Sequence, residues 1–455
     1  MIMSQEVISY LQSHRKEYLK ELTEFLKIES ISSDSAHKDD VRKAAEWTAN
    51  ALKTAGMENV QVMETEKHPV VYGEWLHAEE APTVLLYGHY DVQPVDPLHL
   101  WTTPPFEATI RDEKIYARGA SDDKGQVFMQ IKVIEAIMKT QGRLPVNVKF
   151  IYEGEEEIGS PSLDPFVEAH QDLLSADILL VSDTTMLGKG QPSICYGLRG
   201  LCGLQIDIKG PNGDLHSGLY GGAIQNPLHA LVELLSSLHN QDGQITVDGF
   251  YDKVRPLTDD EVETYEKLSN DEELKEQLGL KELYGEKGFS TKARLWGRPT
   301  LELNGVWGGY EGEGIKTVIP AEAHAKITCR LVPDQDPKEI AALIQKHISA
   351  HTPKGVTVEV TLFDQAKPFL TPYDHPAIQT AGHALEKAYG KTPIYTRMGG
   401  SVPVVETFNT LLKLPAVLMG FGLESENFHA PNEHFHLENF DKGLEALTYF
   451  FYELK

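Results

Sequence analysis

The feature of this sequence that most constrains its fold is an alternation of short apolar runs with helical spacing in the N-terminal part. The runs at residues 84–87, 146–152 and 178–181 have the length and apolar character of buried strands. Residues 126–138 between them repeat apolar side chains at helical spacing, and two further amphipathic helical patterns open the chain. This alternation predicts an α/β layer whose sheet is mixed but largely parallel, with helices on both faces.

A second type of pattern begins after Gly200. Residues 325–331 and 356–362 alternate like half-buried antiparallel strands, and helical segments lie between the strand patterns, which indicates an α+β domain. From His375 the chain returns to patterns like those of the first part. The sequence therefore predicts one domain made of residues 1–203 and 375–455, and an inserted domain of residues 204–374.

Side chains of the kind that bind metals stand at the ends of the predicted strands and helices. Ligands of open α/β sheets gather beyond the carboxyl ends of the strands, so these positions are the first to consider. The candidates are His89, Asp91, Asp122, Glu156, Glu157 and Asp183, joined by His429 from the returning segment. Their order along one predicted layer brings two imidazoles and several carboxylates together.

Each candidate also has an ordinary structural interpretation. An aspartate such as Asp122, just before a helix, can cap that helix, and a glutamate cluster in an acidic chain usually forms a solvated face. The functional hypothesis is that Asp122 bridges two divalent cations about 3.5 to 4 Å apart. One neighbouring glutamate would bind metal and the next would activate water as a general base. Mixed imidazole and carboxylate ligands favour zinc or manganese, with cobalt as a third choice.

Composition excludes several other functions. The chain has 42 Lys+Arg against 68 Asp+Glu, and its net charge of −26 opposes binding to nucleic acid or to an anionic membrane. No run approaches the roughly 18 to 20 apolar residues that a membrane span needs, and no signal core stands at the N-terminus. We therefore expect a cytoplasmic protein with no membrane partner. The three cysteines have no metal-type spacing and are expected to be small buried hydrophobic residues.

Several motifs make the sequence resemble the M20 metallopeptidase family, in particular its dipeptidase branch, which includes cytosolic non-specific dipeptidase and carnosinase. The resemblance covers nearly the whole chain. It is carried by Gly88-His89-Tyr90-Asp91-Val92-Gln93-Pro94, Arg118-Gly119, Lys124-Gly125, Tyr196-Gly197-Leu198-Arg199-Gly200, Asp214-Leu215-His216-Ser217-Gly218, Lys316-Thr317-Val318-Ile319-Pro320, Arg330-Leu331-Val332-Pro333 and Gly399-Gly400-Ser401-Val402-Pro403.

The resemblance implies a role for each candidate. One metal ion would be held by His89, Asp122 and Asp183, and a second by Asp122, Glu157 and His429, so that Asp122 is the bridge. Glu156 matches the family's general base, and Asp91 would support His89. The implied activity is hydrolysis of dipeptides by a water molecule that bridges two divalent cations.

The resemblance also implies substrate contacts at His216, Thr317, Arg330 and Ser401. An arginine can clamp the free carboxylate of a dipeptide with two charge-assisted hydrogen bonds, and a histidine outside the metal shell can donate to a developing oxyanion. The inserted domain would then be a lid and a dimerisation domain, which implies a homodimer. Met398 departs from the family pattern, because the cytosolic dipeptidases carry an acidic residue there.

Two other functions fit parts of the same pattern. An N-acyl-amino-acid amidohydrolase would use the same metals and base but accept an acyl group in place of the amino terminus of a dipeptide. A catalytically silent metal-binding or peptide-binding protein would keep the scaffold, although the presence of Glu156 and of every candidate ligand argues against it. The preferred dipeptide, the native metal and the pathway are not predicted by the sequence.

Overall fold

A computed structural model of the protein describes residues 2–400 and 402–454. The chain divides into two compact units. The first comprises the chain up to Tyr196, Thr371–Thr396 and the segment from Val404 onward, and the second comprises Gly197–Leu370 and Arg397–Pro403. The chain changes unit after Tyr196 and after Leu370, and again on either side of Arg397–Pro403. The domain assignment made from the sequence, with limits at 203 and 375, stays a prediction. The roles of the second unit as a lid and as a dimerisation domain stay predictions.

The first unit is built on a large mixed sheet. In the described residues the strands of this sheet that lie wholly in the first unit are Glu58–Met63, Val70–Trp75, Thr83–His89, Asn147–Glu153, Ile178–Val181 and Ala416–Leu418. The sheet also includes Ser193–Leu198 and Ile394–Met398, which end just past the limits of the first unit, and Phe369–Leu370, which is the end of the segment Gly197–Leu370. At its centre, Thr83–His89 pairs in parallel with both Asn147–Glu153 and Ile178–Val181, and Ile178–Val181 pairs in parallel with Ala416–Leu418. The flanking strands are antiparallel. The predicted α/β class with a largely parallel centre is confirmed.

Helices surround this sheet. In the described part of the first unit they are Ile2–Ser13, Arg15–Leu26, Lys38–Thr54, Lys124–Gln141, Leu163–Ala169, Gln171–Leu174, Pro376–Tyr389, Pro403–Leu412 and Leu437–Glu453. Lys124–Gln141 packs against the strand Thr83–His89 and also against the first, second and last of these helices. Since it is covered on nearly all sides, most of its residues are buried, and its sequence shows little amphipathic contrast.

The first unit also contains several short strands and 3₁₀ turns. They are the strands Thr109–Arg111, Lys114–Tyr116, Thr185–Met186, Gly422–Leu423 and His434–His436, and the 3₁₀ turns Ser35–His37, Leu98–Leu100, Glu156–Ile158 and Glu424–Glu426. The strand His434–His436 pairs with Lys114–Tyr116, so the C-terminal part of the chain returns beside the loop that leads into the central helix. This return brings the segment after Phe428 close to Asp122.

The second unit contains an antiparallel sheet. Its described strands, in spatial order, are Thr300–Gly308, Glu322–Leu331, Gly200–Lys209 and Thr357–Ala366. Alternate residues of Glu322–Leu331 are buried, as period-two alternation predicts, and they pack with the helices Pro227–Ser236 and Pro337–His351. The remaining described elements are Leu215–His216 paired with Val318–Ile319, and the helices Ser217–Tyr220, Asp259–Leu268, Asp271–Leu278 and Thr291–Trp296. None of the described helices is both long enough and apolar enough to cross a membrane.

Candidate active site and metal centre

The site lies in the first unit, where the parallel strands of the sheet end at one edge. His89 is the last residue of its strand and stands opposite Glu153 in the register of the neighbouring strand. Because the strands are parallel and in register, the residues that follow Glu153 and Val181 emerge at the same edge as His89. The chain thereby brings Glu156, Glu157 and Asp183 beside His89.

Three side chains form a first group of potential metal ligands. The Nε2 atom of His89 lies 3.1 Å from Oδ1 of Asp122 and 3.6 Å from Oδ2 of Asp183. One ligand atom from each residue lies within 4.8 Å of the other two. His89 is fully buried, so its imidazole is shielded from solvent at the end of the strand.

A second group shares Asp122 with the first. Nε2 of His429 lies 2.9 Å from Oδ2 of Asp122 and 3.2 Å from Oε2 of Glu157. The two oxygens of Asp122 therefore face two different histidines, which is the arrangement that a bridging carboxylate requires. The side chain of Glu157 is only 3% exposed, so the interpretation of this glutamate cluster as a solvated face does not apply to it.

Asp91 connects the first histidine with the turn that carries the two glutamates. Its Oδ1 atom lies 3.3 Å from Nδ1 of His89, and its two carboxylate oxygens accept the main-chain N–H groups of Glu156 at 3.3 Å and Glu157 at 3.1 Å. A carboxylate on the second nitrogen of a metal-binding histidine fixes the tautomer and the ring orientation. Asp91 is positioned to do this and to anchor the Glu156–Ile158 turn at the same time.

The electrostatics of the site test whether cations fit these residues. Burial and the charge of Asp122 raise the pKa of Asp183 to about 7, and burial raises the pKa values of Glu156 and Glu157. Hydrogen bonds with Asp122 and Glu157 raise the pKa of His429 to about 10. So many carboxylates in one buried place repel each other unless positive charge is present, and two divalent cations would supply it. The mixed imidazole and carboxylate donors fit zinc or manganese.

Comparison with known proteins gives the family. The model of Peptidase family M20/M25/M40 matches residues 85–453. The chain belongs to the M20 peptidase family. It is therefore a metallopeptidase, a hydrolase that acts on peptide bonds.

Individual relatives align over almost the full length. The Cys-Gly metallodipeptidase of Schizosaccharomyces pombe is 32% identical over 98% of this chain and 97% of its own, and the human Beta-Ala-His dipeptidase is 30% identical over 99% and 92%. The crystal structure of an M20 family metallo-carboxypeptidase from Sulfolobus solfataricus matches with a TM-score of 0.80 at 35% identity, over 96% of this chain and 99% of that one. The two-domain fold is thus that of the M20 peptidases.

In this M20 peptidase, Glu155 and Asp123 are the sequence neighbours of Glu156 and Asp122, and each accepts a hydrogen bond from the main chain. Glu155 is buried, and its carboxylate accepts the main-chain N–H groups of His68 at 2.7 Å and Ser162 at 2.9 Å, so it holds the loop together. Asp123 precedes the helix, but its side chain makes no capping hydrogen bond. Its Oδ2 atom instead accepts the N–H of His89 at 3.2 Å. The helix-capping interpretation of this acidic pair is therefore not supported at Asp123.

Sequence reasoning assigned no role to Gln93 and Glu433, which contact candidate ligands, or to Arg118, which pairs with Glu433. Gln93 donates from Nε2 to Oε2 of Glu157 at 2.7 Å. Glu433 accepts the main-chain N–H of Asp122, and Arg118 forms a buried ion pair with Glu433. Gln93 and Arg118 fall inside the family motifs quoted above, which was the available signal. Glu433 had none, because its partners are more than 300 residues away in sequence.

Of the predicted substrate residues, His216, Thr317 and Arg330 belong to the second unit. His216 ends the strand Leu215–His216, and Thr317 directly precedes its partner strand Val318–Ile319. Both residues are exposed, and the carbonyl of Thr317 accepts the N–H of Ser217 at 3.0 Å. Arg330 is half-buried near the end of the strand Glu322–Leu331. Ser401 lies outside the described residues. All four assignments stay predictions.

Proposed function

We propose that this M20 peptidase hydrolyses dipeptides with two divalent cations, zinc or manganese, bound at the two groups that share Asp122. The observation that carries the proposal is the position of Asp122, whose two oxygens lie 3.1 Å and 2.9 Å from the Nε2 atoms of His89 and His429. Asp183 would complete one site and Glu157 the other. When bound, the two cations would supply Lewis acidity and lower the pKa of a water molecule.

Glu156 is the proposed general base. Its carboxylate would take a proton from the attacking water and later deliver this proton to the nitrogen of the leaving amine. Burial raises the pKa of Glu156, which supports this role because the carboxyl group must hold a proton between the two steps. The main chain of Glu156 is fixed by a hydrogen bond to Asp91. Asp91 would act indirectly, by orienting His89 and the turn that carries the base.

His216, Thr317, Arg330 and Ser401 are the proposed substrate contacts. Arg330 would pair with the free carboxylate at the C-terminus of the substrate, which distinguishes a dipeptide from an internal peptide segment. His216 would donate to the oxyanion that forms at the scissile carbonyl. The names of the fungal and human relatives, a Cys-Gly metallodipeptidase and a Beta-Ala-His dipeptidase, support a dipeptide substrate.

A homodimer formed through the second unit is part of the proposal. Leu219, Val232 and Ile315 in this unit are 76%, 63% and 94% exposed, and large apolar side chains left in solvent favour contact with another surface. Sedimentation of the purified protein would test this part, and a monomer at micromolar concentration would contradict it. The cytoplasmic location likewise stays a prediction.

The second candidate function is hydrolysis of N-acyl amino acids at the same centre. The same metals, Glu156 and Arg330 would serve it, because the acyl group would occupy the place of the amino-terminal residue. Met398 supports this second candidate, because the family resemblance implies an acidic residue at this position and this chain has a neutral side chain there. Rates on matched dipeptides and N-acetyl amino acids separate the two candidate functions.

A further inference from the structure

A buried carboxylate outside the two ligand groups contacts the main chain at Asp122. Glu433 is 0% exposed and follows His429 by four residues. Its Oε1 atom accepts two consecutive main-chain N–H groups, from Ser121 at 3.1 Å and from Asp122 at 3.2 Å. Two adjacent donors on one oxygen fix the orientation of the two peptide planes on either side of Ser121, and with them the direction in which the Asp122 side chain leaves the backbone.

The other carboxylate oxygen of Glu433 is held by Arg118. The Nη1 atom of Arg118 donates to Oε2 at 2.6 Å, and the guanidinium is 1% exposed. The same guanidinium donates to the carbonyl of Pro94 at 2.9 Å and to that of Ala430 at 3.4 Å. One ion pair therefore joins three segments of the first unit.

Each of these segments carries or adjoins a candidate ligand. Pro94 follows Gln93, which donates to Glu157; Ser121 precedes Asp122; and Ala430 follows His429. A buried ion pair is a poor source of stability by itself, because desolvation offsets most of the attraction between the charges. Its contacts here suit orientation better, since every one of them is to the main chain of a ligand-bearing segment or within the pair.

We propose that Glu433, held in place by Arg118, is a positioning residue that fixes Asp122 so that its two oxygens serve two metal ions at once. The inference rests on the proposed two-metal function. Because Asp122 is common to both groups, loss of Glu433 weakens the binding of both ions. Gln93 provides a contrast within the same site, since it contacts Glu157 and so affects the ion held with His429.

The test compares the binding of Mn²⁺ to the metal-free protein and its variants, with unbound Mn²⁺ counted by electron paramagnetic resonance. The variants are Glu433→Gln, Gln93→Ala and Glu286→Gln. The last is a matched control, because Glu286 is a buried carboxylate paired with Arg298 at 2.7 Å in the second unit. Thermal unfolding of each metal-free variant reports any general loss of stability.

We expect Glu433→Gln to weaken both binding steps by about tenfold to a hundredfold, the range for partners that orient metal ligands. Gln93→Ala should weaken one step, and Glu286→Gln neither. Wild-type affinity at both steps in Glu433→Gln would overturn the inference, as would equal losses in Glu433→Gln and Glu286→Gln. If Glu433→Gln does not fold, Arg118→Lys gives the same comparison, because lysine keeps the charge but cannot hold the carboxylate and both carbonyls together. Failure of the wild-type protein to bind two ions would instead refute the proposed function.

Discussion

Gly88 provides a test of how tightly the end of the central strand is packed beside the site. A Cβ atom built on Gly88 would lie 2.5 Å from Cγ2 of Val127 and 2.8 Å from Oδ2 of Asp123. Val127 would have to retreat by about 1 Å to reach an ordinary contact distance. The same Oδ2 atom of Asp123 accepts the N–H of His89, so the added methyl group would also displace that hydrogen bond.

We therefore expect Gly88→Ala to lower the free energy of unfolding of the metal-free protein by about 1–3 kcal/mol, the usual cost of overpacking. A shift of about 1 Å at His89 would lower kcat/KM by about a hundredfold, because catalytic geometry tolerates little displacement. Urea unfolding followed by tryptophan fluorescence, and initial rates on a cleaved dipeptide, measure the two effects.

Gly188→Ala is the matched control, since a Cβ at Gly188 meets no atom within 4 Å in the part of the chain that the structure describes. Its stability should stay within about 0.5 kcal/mol of the wild-type protein. Equal stability and activity of the two alanine variants would refute the packing argument.

Three further predictions concern charge. Arg330→Ala should raise KM for a dipeptide by about tenfold to a hundredfold, with a smaller effect on metal binding. The control Lys326→Ala, on the same strand, should leave KM unchanged. Equal KM values in the two variants would contradict the role of Arg330. Metal affinity should increase with pH, because the ligands of the metal-free protein hold protons that each ion must displace. The pKa of His429 is raised to about 10 and that of Asp183 to about 7. Calorimetry in two buffers should therefore detect proton release on metal binding at pH 7. Glu155→Gln should cost about 1–3 kcal/mol of stability by weakening the buried hydrogen bonds to His68 and Ser162, while leaving Mn²⁺ affinity unchanged, which binding and unfolding measurements on the same preparation would check.

The strands at the buried centre of the sheet could be predicted from the sequence, whereas the strands at its periphery could not. Thr83–His89, Asn147–Glu153 and Ile178–Val181 are buried along their length, so their sequences are continuous apolar runs. Glu58–Met63 was missed because it is a short, partly exposed edge strand in which only Val60, Val62 and Met63 are apolar. Its partner Val70–Trp75 was missed as well, and its run is interrupted by Gly73 and Glu74.

The candidate ligands were predictable because their chemistry is visible in single residues at element boundaries. The contacts that orient these ligands were not predictable, because they join segments that are distant in the sequence. The interaction of Glu433 with Asp122 spans 311 positions, and no local pattern encodes it. The different environments of Glu155 and Glu156 also became visible only in the structure, because two adjacent glutamates are chemically identical and differ only in what surrounds them.

Cleavage of dipeptides by this M20 peptidase, with two metal ions and Glu156 as the base, is the proposal on which the other predictions depend. The most direct test follows the release of free amino acids from a panel of dipeptides, tripeptides and N-acetyl amino acids, with zinc, manganese or a chelator, for the wild-type protein and Glu156→Ala. We predict that dipeptides are cleaved, that the chelator abolishes the reaction, and that Glu156→Ala lowers kcat by about a hundredfold to ten-thousandfold while still binding two ions. Cleavage of N-acetyl amino acids alone, or an undiminished rate in Glu156→Ala, would contradict the claim.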